Sequence, residues 1–348
     1  MRYRILALVG VLVAVIIGVS LPTIPVAAQV QTPAPKAKTW TPSRTADGQP
    51  DLQGMWLNFD STPFETPAAP GRGDAASVSE NAPGGAGGRA GGRAAAAGGA
   101  PAVVAAPAAP PVVSGFTEIG SINPRNARRR SLVVDPPDGR VPVMASAEQK
   151  RDYNLAHLGD SWEHHGPWER CITRSVPGGI FPTGYNSAYQ IQQGPGYVAI
   201  VYEMIHEARI IPVDGSPHLP QNIRLWNGDS RGHWEGNTLV VDITNYTDKG
   251  SIATNAATGR IKGIPQSEAL HVVERFTRVD ANAIDYEVTI EDPKVYTRPW
   301  KVAIPLNRDD TYQMYEYACH EGNQNYMTSA LGGGRLQDKA AEDVAKKK

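Results

Sequence analysis

Residues 228–246 read Gly-Asp-Ser-Arg-Gly-His-Trp-Glu-Gly-Asn-Thr-Leu-Val-Val-Asp-Ile-Thr-Asn-Tyr, so glycines punctuate the approach to a tryptophan, a turn and an apolar run. Glu235-Gly236-Asn237 predicts a hairpin turn, because glycine accepts the positive φ that tight hairpin connections need. Thr238 to Thr244 then predicts a strand. The stretch indicates twisted antiparallel sheet, and Asp51-Leu-Gln-Gly-Met-Trp56 repeats its glycine–tryptophan spacing.

Runs of β-branched and aromatic residues recur between turn signals along the chain, and each run predicts a strand. They cover residues 52–58, 132–134, 187–192, 197–205, 208–213, 239–243, 270–278, 283–291, 301–306 and 313–318. Residues 145–158 have helical spacing without Gly or Pro and predict one helix, with Ser146 as its N-cap. The fold is therefore predicted to be mainly β, an antiparallel barrel or sandwich with one or two short helices.

The first 28 residues predict the compartment. Arg2 and Arg4 precede an apolar run, and small residues precede Gln29, which is the layout of a cleavable secretory signal peptide. An uncleaved membrane anchor is the alternative. With cleavage, we expect a periplasmic or secreted protein that is not inserted in a membrane.

The remaining chain divides by composition. Residues 29–61 predict a lead-in and a first short strand. Residues 62–114 are mostly Ala, Gly, Pro and Ser, so they predict a disordered insert that cannot bury enough apolar surface to offset chain entropy. Residues 115–335 predict a single β-rich domain, and residues 336–348 predict a charged tail.

Charge and cysteine content narrow the classes of partner. The formal net charge is −1 with acids and bases interspersed, so we expect no nucleic-acid partner. The chain has two cysteines, Cys171 and Cys319, and an even pair in an exported protein predicts a disulfide. One reactive thiol is the alternative, although neither cysteine lies in a recognised nucleophile motif.

Two resemblances follow from the motifs. Gly54-Met-Trp56 and Gly232-His-Trp234 resemble the Gly-x-Trp start of the first strand of lipocalins, which favours a lipocalin-like barrel. Longer blocks resemble an uncharacterised family of exported bacterial proteins, and they lie at 46–56, 202–212, 228–241, 271–276 and 315–323. This second resemblance implies export, but it implies no reaction and no catalytic residue.

Acid–base chemistry is one candidate for function. The candidate catalytic residues are three histidines and three carboxylates: His206, His271, His320, Glu203, Glu274 and Glu321. Imidazole and carboxylate groups in a partly dry pocket can exchange protons near neutral pH. If the three histidines converged inside a barrel, they could also bind a divalent metal, although no short ligand signature is present and no motif requires a cofactor. A structural role for each histidine is the alternative.

Other residues are candidates for binding a ligand: Arg209, Trp234, Arg298, Trp300 and Tyr315. Glu203 interrupts an apolar run and shares side-chain parity with Arg209, so a buried Glu203–Arg209 pair is predicted, either fixing strand register or serving catalysis. Arg298 next to Trp300 predicts a cation–π contact or a site for a substrate carboxylate.

An aromatic motif adds a further candidate. This motif is Trp162-Glu-His-His-Gly-Pro-Trp168, and it could form the base of a site for a sugar or an aromatic ligand. Alternatively, it could be a loop that packs over the barrel mouth.

Two functions stay open at this point. The first is an exported barrel-like protein that binds a small organic ligand in an interior pocket. The alternative is an exported lyase, isomerase or hydrolase that uses the His and Glu residues, with or without a divalent metal. A third interpretation makes the insert and tail a tether to an envelope complex.

Overall fold

The computed structural model describes residues 40–58, 62–66, 124–126, 129–183, 185–252 and 261–346. The predicted signal peptide and most of the predicted insert lie outside these residues. The first five residues of that insert, 62–66, are among the described residues, and Phe64 belongs to the core, because it is 1% exposed and packs 4.9 Å from the ring of Phe181. No helix within the described residues is long and apolar enough to cross a membrane.

A single antiparallel sheet of ten strands dominates the described residues. The strands are β1 (Gly54–Leu57), β2 (Val133–Asp135), β3 (Ala188–Gly194), β4 (Tyr197–Tyr202), β5 (Ala208–Pro212), β6 (Asp229–Glu235), β7 (Thr238–Thr244), β8 (His271–Asp280), β9 (Ala283–Glu291) and β10 (Trp300–Arg308). Their order is β5-β4-β3-β1-β10-β9-β8-β7-β6, and β2 pairs with β10 beside this path. The mainly β prediction is confirmed, as is the β6–β7 hairpin with Gly236 at φ 61°.

The nine strands on this path curl into a nearly closed barrel. Eight antiparallel pairings in succession leave the two edge strands, β5 and β6, running in the same direction. These edges meet through side chains, without backbone pairing in the described residues. A Cβ atom at Gly232 would lie 2.9 Å from Cγ2 of Ile211, so glycine allows the seam to close at this point.

Large side chains fill the inside of the barrel. Alternate residues of each strand point inward, as in β8, where Val272 and Phe276 are buried and their neighbours are partly exposed. Trp56, Tyr286 and Trp300 are fully buried in the same core. Aromatic side chains bury the largest areas, so these residues contribute much of the hydrophobic stabilisation.

Two helices accompany the barrel within the described residues, α1 (Ala145–Ala156) and α2 (Cys319–Lys346). Helix α1 was predicted, but Met144 occupies its N-cap position without a side-chain hydrogen bond, so Ser146 is not the cap. Helix α2 was not predicted. It includes most of the charged tail and starts at the disulfide between Cys171 and Cys319, which is confirmed with a Cα–Cα distance of 5.8 Å.

The predicted strand at 313–318 is wrong. This segment pairs with no strand, and one of its own backbone N–H groups and the tyrosine hydroxyl just before it hold it to a buried carboxylate instead. The Tyr312 hydroxyl and the Tyr315 backbone N–H both donate to Glu203, at 3.0 and 2.9 Å. The segment therefore reaches the disulfide as an unpaired connection.

Candidate functional site

A groove of about 510 Å³ lies at the end of the barrel where β6 and β8 begin and β7 ends. Helix α1 and residues 162–172 form one wall, and the segments that flank β7 and β8 form the other. Its lining includes Lys150, Arg151, Trp162, Glu163, His164, His165, Trp168, Glu169, Arg170, Ile172, Trp226, Asp248, Lys249, Ile252 and Lys262. The groove is thus assembled from parts of the chain that are far apart in sequence.

The aromatic motif at 162–168 folds as a tight loop held by local hydrogen bonds. Ser161 caps a short 3-10 helix by accepting from the Glu163 backbone N–H at 3.2 Å. The carboxylate of Glu169 accepts from the Gly166 N–H at 2.7 Å. His165 is 2% exposed, and its Nε2 lies 2.9 Å from the carbonyl oxygen of Leu158, so this imidazole holds the loop in place.

Three indole rings and one guanidinium define the middle of the groove. Arg170 lies over Trp162 at 5.1 Å and over Trp226 at 5.8 Å from the ring centroids. Trp168 is the third ring, and Arg174 stacks on it at 4.8 Å. Burial lowers the pKa of Arg170, and the nearby charges of Glu163 and Glu169 oppose that effect.

The charge of the lining is positive. Five basic side chains line the groove against three acidic ones: Lys150, Arg151, Arg170, Lys249 and Lys262 against Glu163, Glu169 and Asp248. A concave surface with an excess of one sign concentrates ligands of the opposite sign. The groove therefore favours anionic ligands over cationic ones.

A polar cluster adjoins the groove next to the disulfide. The Thr173 hydroxyl donates to the carboxylate of Glu207 at 2.8 Å, and the side-chain amide of Asn227 donates to the same carboxylate. Cys171 at φ 56° and Ile205 at φ 65° adopt the left-handed region, and each lies two residues before a member of this cluster. That conformation costs energy for a β-branched residue, and such strain concentrates at functional sites.

Arg174 is buried beneath the groove without a carboxylate partner in the described residues. Its Nε and Nη2 donate to the carbonyl oxygen of Gly178 at 3.2 and 3.1 Å, and Nη1 has no partner there. Burial lowers the pKa of Arg174 to about 10.

The predicted pair of Glu203 and Arg209 is wrong, because Arg209 pairs with Glu274 on β8 inside the barrel. Tyr286 also donates to Glu274, at 2.8 Å. The parity argument failed because β4 ends at Tyr202 and Glu203 already has helical φ and ψ. Burial alone would lower the pKa of Arg209, but the charge of Glu274 raises it above its ordinary value.

The predicted histidines are spread over different places. His271 lies on the outer face of β8, where Nε2 is 2.9 Å from Asp242. His218 was missed by sequence reasoning, and it bridges Asp229 and Asp242 at 2.9 Å on each side. His320 and Glu321 lie in the first turn of α2 next to the disulfide.

His206 ends the short 3-10 helix Met204–His206. Within the described residues, no group of three or more His, Cys, Asp or Glu is arranged to hold a metal ion. A metal ion shared by His206, His271 and His320 was predicted from the sequence, and it stays a prediction.

The remaining candidates for ligand binding lie outside the lining of the groove. Trp300 is fully buried and packs against Tyr296 at 5.4 Å, and Trp234 packs partly buried against the core. Arg298 pairs with Asp135 at 2.7 Å. Tyr315 is 61% exposed.

None of the predicted catalytic or ligand-binding residues lines the groove, whose one signal in the sequence was the aromatic motif at 162–168. Comparison of the chain with protein-family models, curated proteins and solved structures finds no match. The fold and the groove define the molecule as a β-barrel with an aromatic, basic groove at one end.

Proposed function

We propose that the protein binds a small ring-containing ligand, a sugar or an aromatic compound, in the groove. The observation that carries this proposal is the set of three indole rings, Trp162, Trp168 and Trp226, around a cavity of about 510 Å³. Ligand pockets commonly measure about 300–1,000 Å³ and combine aromatic walls with a few polar groups. Indole faces bind flat apolar rings, and the charged side chains of the lining supply orientation.

The groove has better support than the interior pocket that the sequence predicted. The core of the barrel is filled by side chains such as Trp56, Phe276 and Tyr286, each buried to 1% exposure or less. The buried charges inside it, Arg209 and Glu274, pair with each other. The groove has open space and an exposed ring, since Trp162 is 53% exposed.

The disulfide supports an exported location for this function. Disulfides persist in oxidising compartments, so the bond between Cys171 and Cys319 fits the periplasmic or secreted location that residues 1–28 predict. A small molecule met outside the cytoplasm is then the proposed partner. We also propose that the protein belongs to the family of exported bacterial proteins that its sequence blocks resemble.

The second candidate function is an exported lyase, isomerase or hydrolase. It is favoured by the strained backbone at Ile205, which lies between Glu203 and His206. The carboxylate of Glu203 is buried and bonded to Tyr312, so a positioned acid–base group is available close to the disulfide. Turnover of a bound ring ligand, lost in Glu203→Gln, would favour this candidate.

Calorimetric titration with neutral and acidic sugars and aromatic compounds tests the binding proposal. We expect at least one ring ligand to bind, and Trp162→Ala to weaken its affinity about two- to tenfold, since one aromatic contact contributes about 0.5–1.5 kcal/mol. Trp40→Ala is the matched control, because Trp40 is 39% exposed and has Arg278 at 5.8 Å, but it does not line the groove. Equal binding by wild type and Trp162→Ala would overturn the groove as the site.

A further inference from the structure

Arg170 differs from the other arginines that lie over tryptophan rings in the described residues. Arg174 donates to Gly178, Arg278 donates to Ala281, and Arg308 donates to Asp310. Arg170 donates no side-chain hydrogen bond to any described residue, and its Nε is buried without a partner. A guanidinium carries five N–H donors, and a buried donor without an acceptor costs free energy.

Two indole rings lie next to this guanidinium. Cζ of Arg170 is 5.1 Å from the ring centroid of Trp162 and 5.8 Å from that of Trp226, so these rings restrict the Arg170 side chain before it binds an acceptor. Arg170 lines the groove together with the same two rings. An acceptor placed next to it there would receive hydrogen bonds from its terminal N–H groups and contact the ring faces.

The shape and charge of this site match a carboxylate. A carboxylate is planar and accepts two parallel hydrogen bonds from a guanidinium, and this pairing is among the strongest in proteins. A phosphate or sulfate group is tetrahedral, so only two of its oxygens can lie in the plane of the guanidinium. The five basic and three acidic side chains of the lining leave an excess of positive charge, which favours an anionic ligand.

We propose that the groove selects ring ligands that carry a carboxylate, such as uronic acids or aromatic acids, and that Arg170 binds that carboxylate. This inference rests on the proposed function, because it assigns the charge of the ligand that the indoles hold. Trp162 and Trp226 stack on the ring or on the guanidinium, and Arg170 supplies the hydrogen bonds. Glu163 and Glu169 then disfavour ligands that carry more negative charge.

Calorimetric titration of the full chain with matched acids and neutral analogues tests this inference. The pairs are glucuronate with glucose and benzoate with benzyl alcohol, and glucose 6-phosphate is the tetrahedral anion. We expect at least one acid to bind about tenfold or more tightly than its neutral partner. The pair that shows this preference distinguishes a sugar acid from an aromatic acid.

Substitutions assign the preference to a residue. Arg170→Gln should abolish the difference in affinity between the acid and its neutral analogue, while the affinity for the neutral analogue stays within about threefold. Arg170→Lys should restore part of that difference, since lysine keeps the positive charge but lacks the paired N–H donors of a guanidinium. Arg151→Gln is the matched control, because Arg151 lines the same groove but pairs with Asp152 at 2.8 Å. Melting temperatures of all variants show whether they are folded.

Each other outcome is decisive. Equal binding of acids and neutral analogues, lost in Trp162→Ala, would overturn the carboxylate inference and keep the proposed function. Tighter binding of glucose 6-phosphate, dependent on Arg170, would replace the carboxylate by a tetrahedral anion. Failure of every acid and every neutral analogue to bind would contradict both proposals, and an unchanged acid preference in Arg170→Gln would remove Arg170 from the site.

Discussion

Two buried arginines show how much the partner of a charge matters. Arg209 and Arg174 are 6% and 1% exposed, but Arg209 faces Glu274 whereas Arg174 faces carbonyl oxygen and an indole. Burial opposes the charge of both side chains. The carboxylate of Glu274 raises the pKa of Arg209, and without such a carboxylate the pKa of Arg174 falls to about 10.

We expect Arg209→Met to lower the free energy of unfolding by about 3–5 kcal/mol, because it leaves the Glu274 carboxylate buried without its counter-charge. Arg174→Met is the matched control. It leaves no carboxylate unpaired, so its cost should be about 1 kcal/mol, the scale of a lost hydrogen bond to the Gly178 carbonyl. Urea unfolding measures both. Equal losses would show that the ion pair has no special role in stability.

Helix α2 shows packing prevailing over helix propensity at the scale of an element. It runs through Gly332, Gly333 and Gly334, although glycine is a poor helix former. A Cβ atom at Gly334 would lie 2.1 Å from the carbonyl oxygen of Gly159, whereas Cβ atoms at Gly332 and Gly333 would meet nothing within 4 Å. Close contact with the loop before the groove therefore requires glycine at one of the three positions.

We expect Gly334→Ala to lower the melting temperature and to reduce amide protection along α2, because its methyl group would collide with the backbone at Gly159. Gly332→Ala should instead stabilise the protein by about 0.5–1 kcal/mol, since alanine favours the helix and nothing obstructs the methyl group. Thermal melting and hydrogen exchange measure these effects. A stabilising Gly334→Ala would mean that α2 does not pack on the loop in solution.

At the scale of the whole molecule, the filled barrel protects phenol groups from ionising. Five fully buried tyrosines have pKa values raised above the ordinary 10.0, with burial as the largest cause: Tyr189, Tyr202, Tyr246, Tyr286 and Tyr296. Above pH 10.0 the unfolded chain loses protons that the folded barrel keeps. Their contribution to stability is therefore complete below pH 10.0 and is lost as the pH rises further.

We expect stability to fall steeply above pH 10, with these phenols ionising only as the protein unfolds. Arg170, Arg174 and Arg278 act in the opposite direction, because burial lowers their pKa values in the folded state below the ordinary 12.5, but they are three groups against five. Absorbance at 295 nm and circular dichroism should change together. Tyr296→Phe should make the decline with pH shallower, and full phenol ionisation in a still-folded barrel would contradict the account.

Local patterns in the sequence determined the strands, the β6–β7 hairpin and helix α1. Side-chain alternation and turn residues act between neighbours in the chain, so β9 could be predicted from residues 283–291 alone. The disulfide followed from an even cysteine count in a chain predicted to be exported. The predicted strand at 313–318 had a similar local pattern and was wrong, because it had no partner in the sheet.

Tertiary structure alone decided which distant groups meet. Arg209 pairs with Glu274 because successive strand pairings bring β5 and β8 to the same interior. The alternation of side chains along one strand does not specify which residues of a distant strand they will face. Arg170 lies between Trp162 and Trp226 because a loop before β3 and a segment before β6 converge at one end of the barrel. Spacing along a chain encodes secondary structure, whereas a site made from several segments depends on how the barrel closes.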